Sequence, residues 1–157
     1  MPNSAPHPAP PLPPVEDMLC FALYSASLAF TRFYKPLLER IGLTYPQYLV
    51  MVALWEKDDQ PVGAIGQTLG LESSTLTPLL KRLEAMGHVT RTRDSEDERV
   101  VRVRLTPPGL ALRDKARSIP GCVLAATGLD LPAAIQLQRD VVKLRDAMEA
   151  ATAGPAA

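Results

Sequence analysis

Apolar side chains recur along most of this chain with the step of a helix, and in one short stretch with the step of a strand. Leu19, Leu23, Ala26 and Phe30 fall three or four residues apart, and Phe33, Leu37 and Ile41 prolong the stripe. That period predicts one helix over Val15–Ile41, bent or strained at Pro36, where a backbone donor is missing, and stopped by Gly42. Thr44 stands at the start of a second helix, with Pro46 in its first turn and Gln47 at capping-box spacing. "QYLVMVALWEK" carries that helix to an acidic turn, "DDQ".

After Pro61 the pattern becomes more specific. "VGAIGQTLGL" reads as a short helix ending at Leu69-Gly70. "ESSTLTPLLKRLEAMG" reads as another, with Ser73 or Ser74 as its cap and a stripe of Leu76, Leu79, Leu80, Leu83 and Met86 before Gly87. Two short helices joined by a tight turn make a helix-turn-helix. "HVTRTR" and "RVVRVRLT" then flank "DSEDE", and Val101, Val103 and Leu105 alternate with Arg102 and Arg104, as in a half-buried strand. A hairpin directly after such a helix makes a winged helix. From Pro107 the chain returns to helix, with Pro120-Gly121 as an internal break. It ends in an amphipathic helix whose stripe is Leu131, Ile135, Leu137, Val141, Leu144 and Met148.

The ends differ from the middle. "MPNSAPHPAPPLPP" (1–14) and the last residues (152–157) lack the apolar side chains that a packed segment needs, so both are expected to be disordered tails around one domain over 15–151. Within it, 45–106 is the winged part, and 15–44 and 107–151 are helices left to associate. The expected class is mainly α with a small β-hairpin wing.

Composition narrows this picture little: 46% apolar and 22% charged residues are ordinary for a globular domain. Lysines and arginines (17) balance aspartates and glutamates (17), so any nucleic-acid surface has to be a local patch. Two cysteines are too few for a disulfide framework, and neither a signal peptide nor a membrane-length apolar run is evident; a cytoplasmic location is expected. His7 lies in the tail, and His88 at the wing base reads as a packing or phosphate-proximal residue. With no second histidine nearby and no paired cysteines, neither a metal nor another cofactor is expected.

Two constellations carry chemistry. The leucines of the second helix-turn-helix helix leave Ser73, Ser74, Thr75, Thr77, Pro78, Lys81 and Arg82 on its solvent face, and hydroxyls and cations there suit base edges and phosphates. Arg91, Arg93, Arg99, Arg102 and Arg104 make the hairpin basic, as a wing that enters a minor groove requires. Its tip is acidic (Asp94, Glu96, Asp97, Glu98). A carboxylate there can pair with Arg99 and fix its direction, or the turn is simply solvated.

The other constellation is "LCFALYSASLAFTRFYKPLL" with "LTYPQY". Cys20 and Tyr24 lie one turn apart on one face. Tyr34 is on nearly the same face, but about 21 Å further along a straight helix, so its hydroxyl reaches the Cys20 sulfur only from another chain. Phenol donors would favour a thiolate without adding charge. Buried packing is the ordinary use of a free cysteine.

These residues resemble the MarR family of winged-helix regulators. "LGLESSTLTPLLKRLEAMGHVTRTRDSEDERVVRVRLTPPG" carries the family pattern, and Cys20 followed by "YKP" and "TYPQY" resembles the organic-hydroperoxide-sensing (OhrR) branch. The resemblance implies a homodimeric repressor, not an enzyme, that releases an inverted-repeat operator when organic hydroperoxide oxidises Cys20. It implies Tyr34 and Tyr45 as hydroxyl partners, Arg99 as the minor-groove arginine with Asp97 supporting it, and Arg93 beside them. Cys122 stands open between a resolving thiol and an apolar helical cysteine. Three rival readings remain: a MarR-type regulator answering a small aromatic effector with Cys20 only structural, a thiol peroxidase, and an interaction scaffold that binds no DNA.

Overall fold

The structure is a computed structural model and describes residues 11–154; the tail positions 1–10, His7 among them, and 155–157 lie outside the described residues. Pro11–Pro14 are exposed and irregular, and Val15–Asp17 form a single 3-10 turn. Helix α1 spans Leu19–Glu39, four residues short of the expected start. Met18 keeps extended backbone (φ −82°, ψ 122°) between turn and helix, a break to which apolar spacing is blind. Pro36 is accommodated inside α1, and Leu43 N–H closes its end on the Leu38 carbonyl.

Helix α2 (Tyr45–Glu56) starts with the capping box its sequence implies: Thr44 N–H donates to Gln47 Oε1 at 2.9 Å, and Gln47 N–H to Thr44 Oγ1. It is the core helix, with Tyr48, Val50, Met51, Ala53 and Leu54 buried. A two-residue strand β1 (Gln60–Pro61), too short to show any alternation, precedes α3 (Val62–Leu69). Helix α4 (Ser73–Ala85) follows a turn so close that a Cβ at Gly66 would stand 2.8 Å from the Leu71 carbonyl oxygen. Glu72, not Ser73 or Ser74, occupies the N-cap, with no side-chain cap bond. Extended backbone at Glu72 places both serines inside the first turn, so their hydroxyls are not spent on capping.

The hairpin joins β2 (Val89–Arg93) to β3 (Val101–Leu105), with Val89 opposite Leu105 and Arg93 opposite Val101. β1 adds to the free edge of β3, giving a three-stranded antiparallel sheet in the order β1-β3-β2 rather than a bare hairpin. Helix α5 (Pro107–Ala116) is capped by Thr106, and α6 (Ile119–Thr127) follows it. The break falls at Arg117–Ser118; Pro120 sits in the first turn of α6, where a missing N–H is harmless. Helix α7 (Leu131–Thr152) is capped by Asp130.

One cluster forms the core: Leu38 and Ile41 at the end of α1, then side chains from α2 through α6 and the sheet. Within α1 only Leu38 is buried, and α7 buries nothing. The protein is mainly α-helical with a small winged sheet. No single helix among the described residues is long and apolar enough to cross a membrane.

Candidate redox site and nucleic-acid interface

The second residue of α1 is Cys20. Its side chain is exposed, so it does not fill this chain's own core. Tyr24, one turn on, is also exposed. The other three tyrosines gather at the opposite end of the helix. The Tyr34 ring lies 4.7 Å from that of Tyr45 and 6.0 Å from that of Tyr48, and Tyr48 packs edge-on to Trp55 at 6.3 Å. The Thr44 cap creates this group by turning the chain so that the first turns of α2 come back against α1. Burial and the neighbouring phenols push the Tyr34 hydroxyl up to about 12, and burial also raises Tyr48. These phenols keep their protons at any physiological pH and therefore remain hydrogen-bond donors. Fourteen residues of continuous helix, about 21 Å, separate them from the Cys20 of the same chain.

Within α2 the sequence marks Tyr48 and Trp55 only as apolar packing, and the fold makes them neighbours of the site. Trp55 Nε1 donates to the Gly109 carbonyl at 2.9 Å, which ties the aromatic group to the start of α5. Cys122 is an exposed free thiol on α6. Between α1, α6 and α7 lies an open apolar cleft of about 540 Å³, lined by Ala26, Phe30, Phe33, Val123 and Leu137 among others. Among the described residues no group of three or more metal-ligating side chains forms.

The second region is the outer face of α4 with the sheet. Ser73, Ser74, Thr75, Lys81 and Arg82 are exposed and Thr77 partly so, while Leu76, Leu80 and Leu83 point inward. A cleft runs from Ser73 and Thr77 across to Arg91 and Arg99. Arg99 projects from the hairpin tip with its side chain 91% exposed, and Asp97 grips it through Nε (3.1 Å), Nη2 (3.4 Å) and the backbone N–H (3.0 Å). These bonds hold the Asp97 carboxyl below the usual carboxylate range. Arg93 donates to the Glu98 carbonyl. Asp94 accepts the N–H groups of Glu96 and Asp97, so part of the acidic tip closes its own turn.

The remaining arginines are not free. Arg91 makes a forked pair with Glu84 of α4, at 2.7 and 2.9 Å. Arg102 donates to the Asp59 carboxylate and carbonyl and to Asp94, and Arg104 pairs with Asp59 at 3.1 Å. The sequence offered the acidic doublet and the alternating arginines, but not their meeting across 43 residues. His88 belongs to the packing of the wing base: its Nδ1 is buried without a partner, and its carbonyl accepts from Thr106 N–H.

Comparison with known proteins agrees with this architecture. The profile for the transcriptional regulator SarA/Rot family matches residues 32–116. The organic hydroperoxide resistance transcriptional regulator of Bacillus subtilis is 49% identical over 110 residues, covering 70% of this chain and 75% of that protein. The HTH-type transcriptional regulator TtmR of Methylorubrum extorquens is 47% identical, covering 87% of this chain and 70% of that protein. Among solved structures, AbfR of Staphylococcus epidermidis, reduced and bound to DNA, superposes with a TM-score of 0.74 at 32% identity, covering 88% of this chain and 94% of the other. An overoxidised AbfR, also bound to DNA, gives 0.72 at 35% identity, covering 85% of this chain and 94% of the other. With the wing, the helix-turn-helix and these relatives together, the chain belongs to the MarR-type winged-helix transcriptional regulators, in the branch of the organic hydroperoxide resistance regulators.

Proposed function

We propose that this regulator is a homodimeric repressor that binds an inverted-repeat operator and lets go of it when organic hydroperoxide oxidises Cys20. The observation that carries this reading is the separation of thiol and phenols along α1. Each chain presents an exposed Cys20 at one end and the stacked Tyr34–Tyr45 pair at the other. Two antiparallel or crossing copies of α1 would bring each sulfur to the other chain's phenols. The bare apolar faces of α1 and α7 supply the surface for that association. Operator contact is assigned to Ser73, Ser74, Thr75, Thr77, Lys81 and Arg82 in the major groove, and to Arg93 and to Arg99 (held by Asp97) at the wing. In a dimer the two α4 helices would enter major grooves about 34–36 Å apart.

The chemistry balances within this site. The Cys20 thiolate attacks the outer peroxide oxygen, the O–O bond breaks, and the alkoxide leaves and takes up a proton. The sulfur becomes a sulfenic acid and the peroxide is reduced to its alcohol. The product no longer offers an anion to the phenol donors, so the packing between the two α1 helices changes and with it the spacing of the two reading heads.

The test uses an operator duplex enriched from a random pool, with cumene hydroperoxide at one equivalent per thiol to avoid overoxidation. Wild-type protein should lose most of its affinity and regain it with dithiothreitol, while Cys20→Ser stays bound. Equal release by Cys20→Ser would overturn the assignment. Release by a small aromatic compound, unaffected by blocking the thiol, would favour the effector-binding alternative.

A further inference from the structure

In the wing, acids and arginines are nearly matched, yet the pairing between them is uneven. Arg93 and Arg99 sit at the exposed tip. Arg102 and Arg104, on the solvent face of β3, are drawn to one residue outside the hairpin, Asp59. Its carboxylate accepts Arg102 Nε at 2.7 Å and Arg104 Nε at 3.1 Å, and its carbonyl accepts Arg102 Nη2 at 2.6 Å. The neighbouring Asp58 carboxylate accepts the Leu105 N–H at 2.8 Å, so the whole turn is fastened to β3. Asp59 is also the one non-glycine residue with positive φ (54°) among the described residues. The backbone therefore takes an uncommon conformation at the position where its carboxylate reaches both arginines.

Such a contact matters in a protein without surplus positive charge. Non-specific duplex binding comes almost entirely from cations that neutralise phosphates and release counterions. Arg102 and Arg104, drawn back onto the sheet by a carboxylate, contribute little to that term, whereas Arg99, paired with Asp97 but 91% exposed, and Arg93 keep their directional role at the tip. We propose that Asp59 is a specificity-determining residue for duplex binding: it withholds Arg102 and Arg104 from phosphates, and so lowers affinity for random sequence more than for the operator. The inference rests on the duplex-binding reading above and is independent of the redox chemistry of Cys20.

Asp59→Asn is the informative variant, because asparagine adopts the left-handed conformation as readily as aspartate and keeps the shape while losing the charge. Full-length wild-type and variant proteins are titrated over a salt series with the pool-enriched duplex and with a random-sequence duplex, and their folding is checked by thermal melting. For Asp59→Asn the slope of log affinity against log salt should steepen by about 0.9 for Arg104, and by less for Arg102, which Asp94 still holds at 3.3 Å, and low-salt affinity for random duplex should rise roughly 5-fold. The ratio of enriched to random affinity should fall. Arg104→Gln alone should leave the slope at the wild-type value, and Asp59→Asn with Arg104→Gln should lose most of the gain, because Arg102 keeps its bond to Asp94.

A wild-type slope in folded Asp59→Asn would overturn the proposal. So would a parallel loss on both duplexes, which would make Asp59 only a strut of the wing. If Asp59→Asn melts early, Arg104→Gln still decides: a shallower slope in that variant would mean that Arg104 already meets phosphate and that Asp59 withholds nothing. Wild-type protein indifferent to every duplex would sink the duplex-binding reading itself, before any variant is compared.

Discussion

The reading head, from α2 to β3, and the helical shell of α1 and α7 are stabilised by different means. In the head, most arginines of the sheet have found carboxylate partners in the same chain. Arg91 meets Glu84, Arg102 and Arg104 meet Asp59, and the side chains of Leu54, Ile65, Leu76, Leu80 and Val103 are almost wholly buried. In the shell, large apolar side chains stay open to solvent: Phe30 is 45% exposed, Leu137 54% and Met148 62%. The first region is finished within one polypeptide. The second has the composition of a core and the exposure of a surface, as the proposed dimer requires. The difference teaches where a signal can enter, since only the unfinished region can be repacked without unfolding the chain.

The strongest way to break the head is at Gly109. A Cβ there would collide with the His88 carbonyl oxygen, at the junction where Trp55 holds α5 against α2 and Thr106 bonds both Gly87 and Gly109. Because the obstacle is backbone, nothing can rotate aside. Gly109→Ala should cost about 3 kcal/mol or more of folding stability, read by urea denaturation, with Trp55, the sole tryptophan, reporting the loss. A variant as stable as wild type would show that the junction is loose and that the contrast between the regions is overstated.

The shell should respond to charge in another way. Leu137→Glu lies on the exposed stripe of α7 and at the cleft shared with α1 and α6, so the isolated chain pays little for it. In a dimer, that carboxylate would be buried against apolar side chains with no partner. Self-association should weaken by roughly 100-fold, from the few kcal/mol of an unpaired buried polar group. Sedimentation velocity would show monomer with unchanged helix content. Undiminished dimer would mean that the exposed stripe faces water in the assembly too.

The two regions were also unequally legible in the sequence. Helical stripes, the turn after Leu69 and the alternation of Val101, Val103 and Leu105 report directly on which side chains are apolar, and the architecture follows from them. What periodicity cannot see is a break made by backbone. Met18 interrupts the first helix without interrupting its stripe, and the two residues of β1 are too few to alternate. Pro120-Gly121 looks like a terminator, yet a proline in a first helical turn is at home there, so the break falls at Arg117–Ser118. In the site, the Cys20–Tyr24 register follows from helix geometry alone. The approach of Tyr34 to Tyr45 depends on the angle at which two helices meet. The capture of Arg102 and Arg104 by Asp59 depends on a strand pairing that a two-residue segment does not announce. Local rules reach as far as one element, and most of the chemistry lies between elements.

The smallest effect distinguishes a finished ion pair from a merely exposed one. Glu84 on α4 accepts three bonds from Arg91, two from the guanidinium and one from the backbone N–H, and these hold its carboxyl below the ordinary value of 4.5. A carboxylate lowered in the folded state adds stability that is fully present above the unfolded pKa and is lost as pH falls through the folded one. With side chains 36% and 25% exposed, the pair is screened by solvent, and its worth is at most about 1 kcal/mol. Glu84→Gln keeps the length and can still accept from Arg91, so at pH 7 it should be destabilised by a fraction of that amount. The gap to wild type should then close on acidification below about 4.5, as Glu84 itself becomes neutral. Urea denaturation of both proteins across this range tests it: a gap independent of pH would place the loss in packing between α4 and β2, and no gap at all would make Arg91 a cation free to turn toward the cleft beside Arg99.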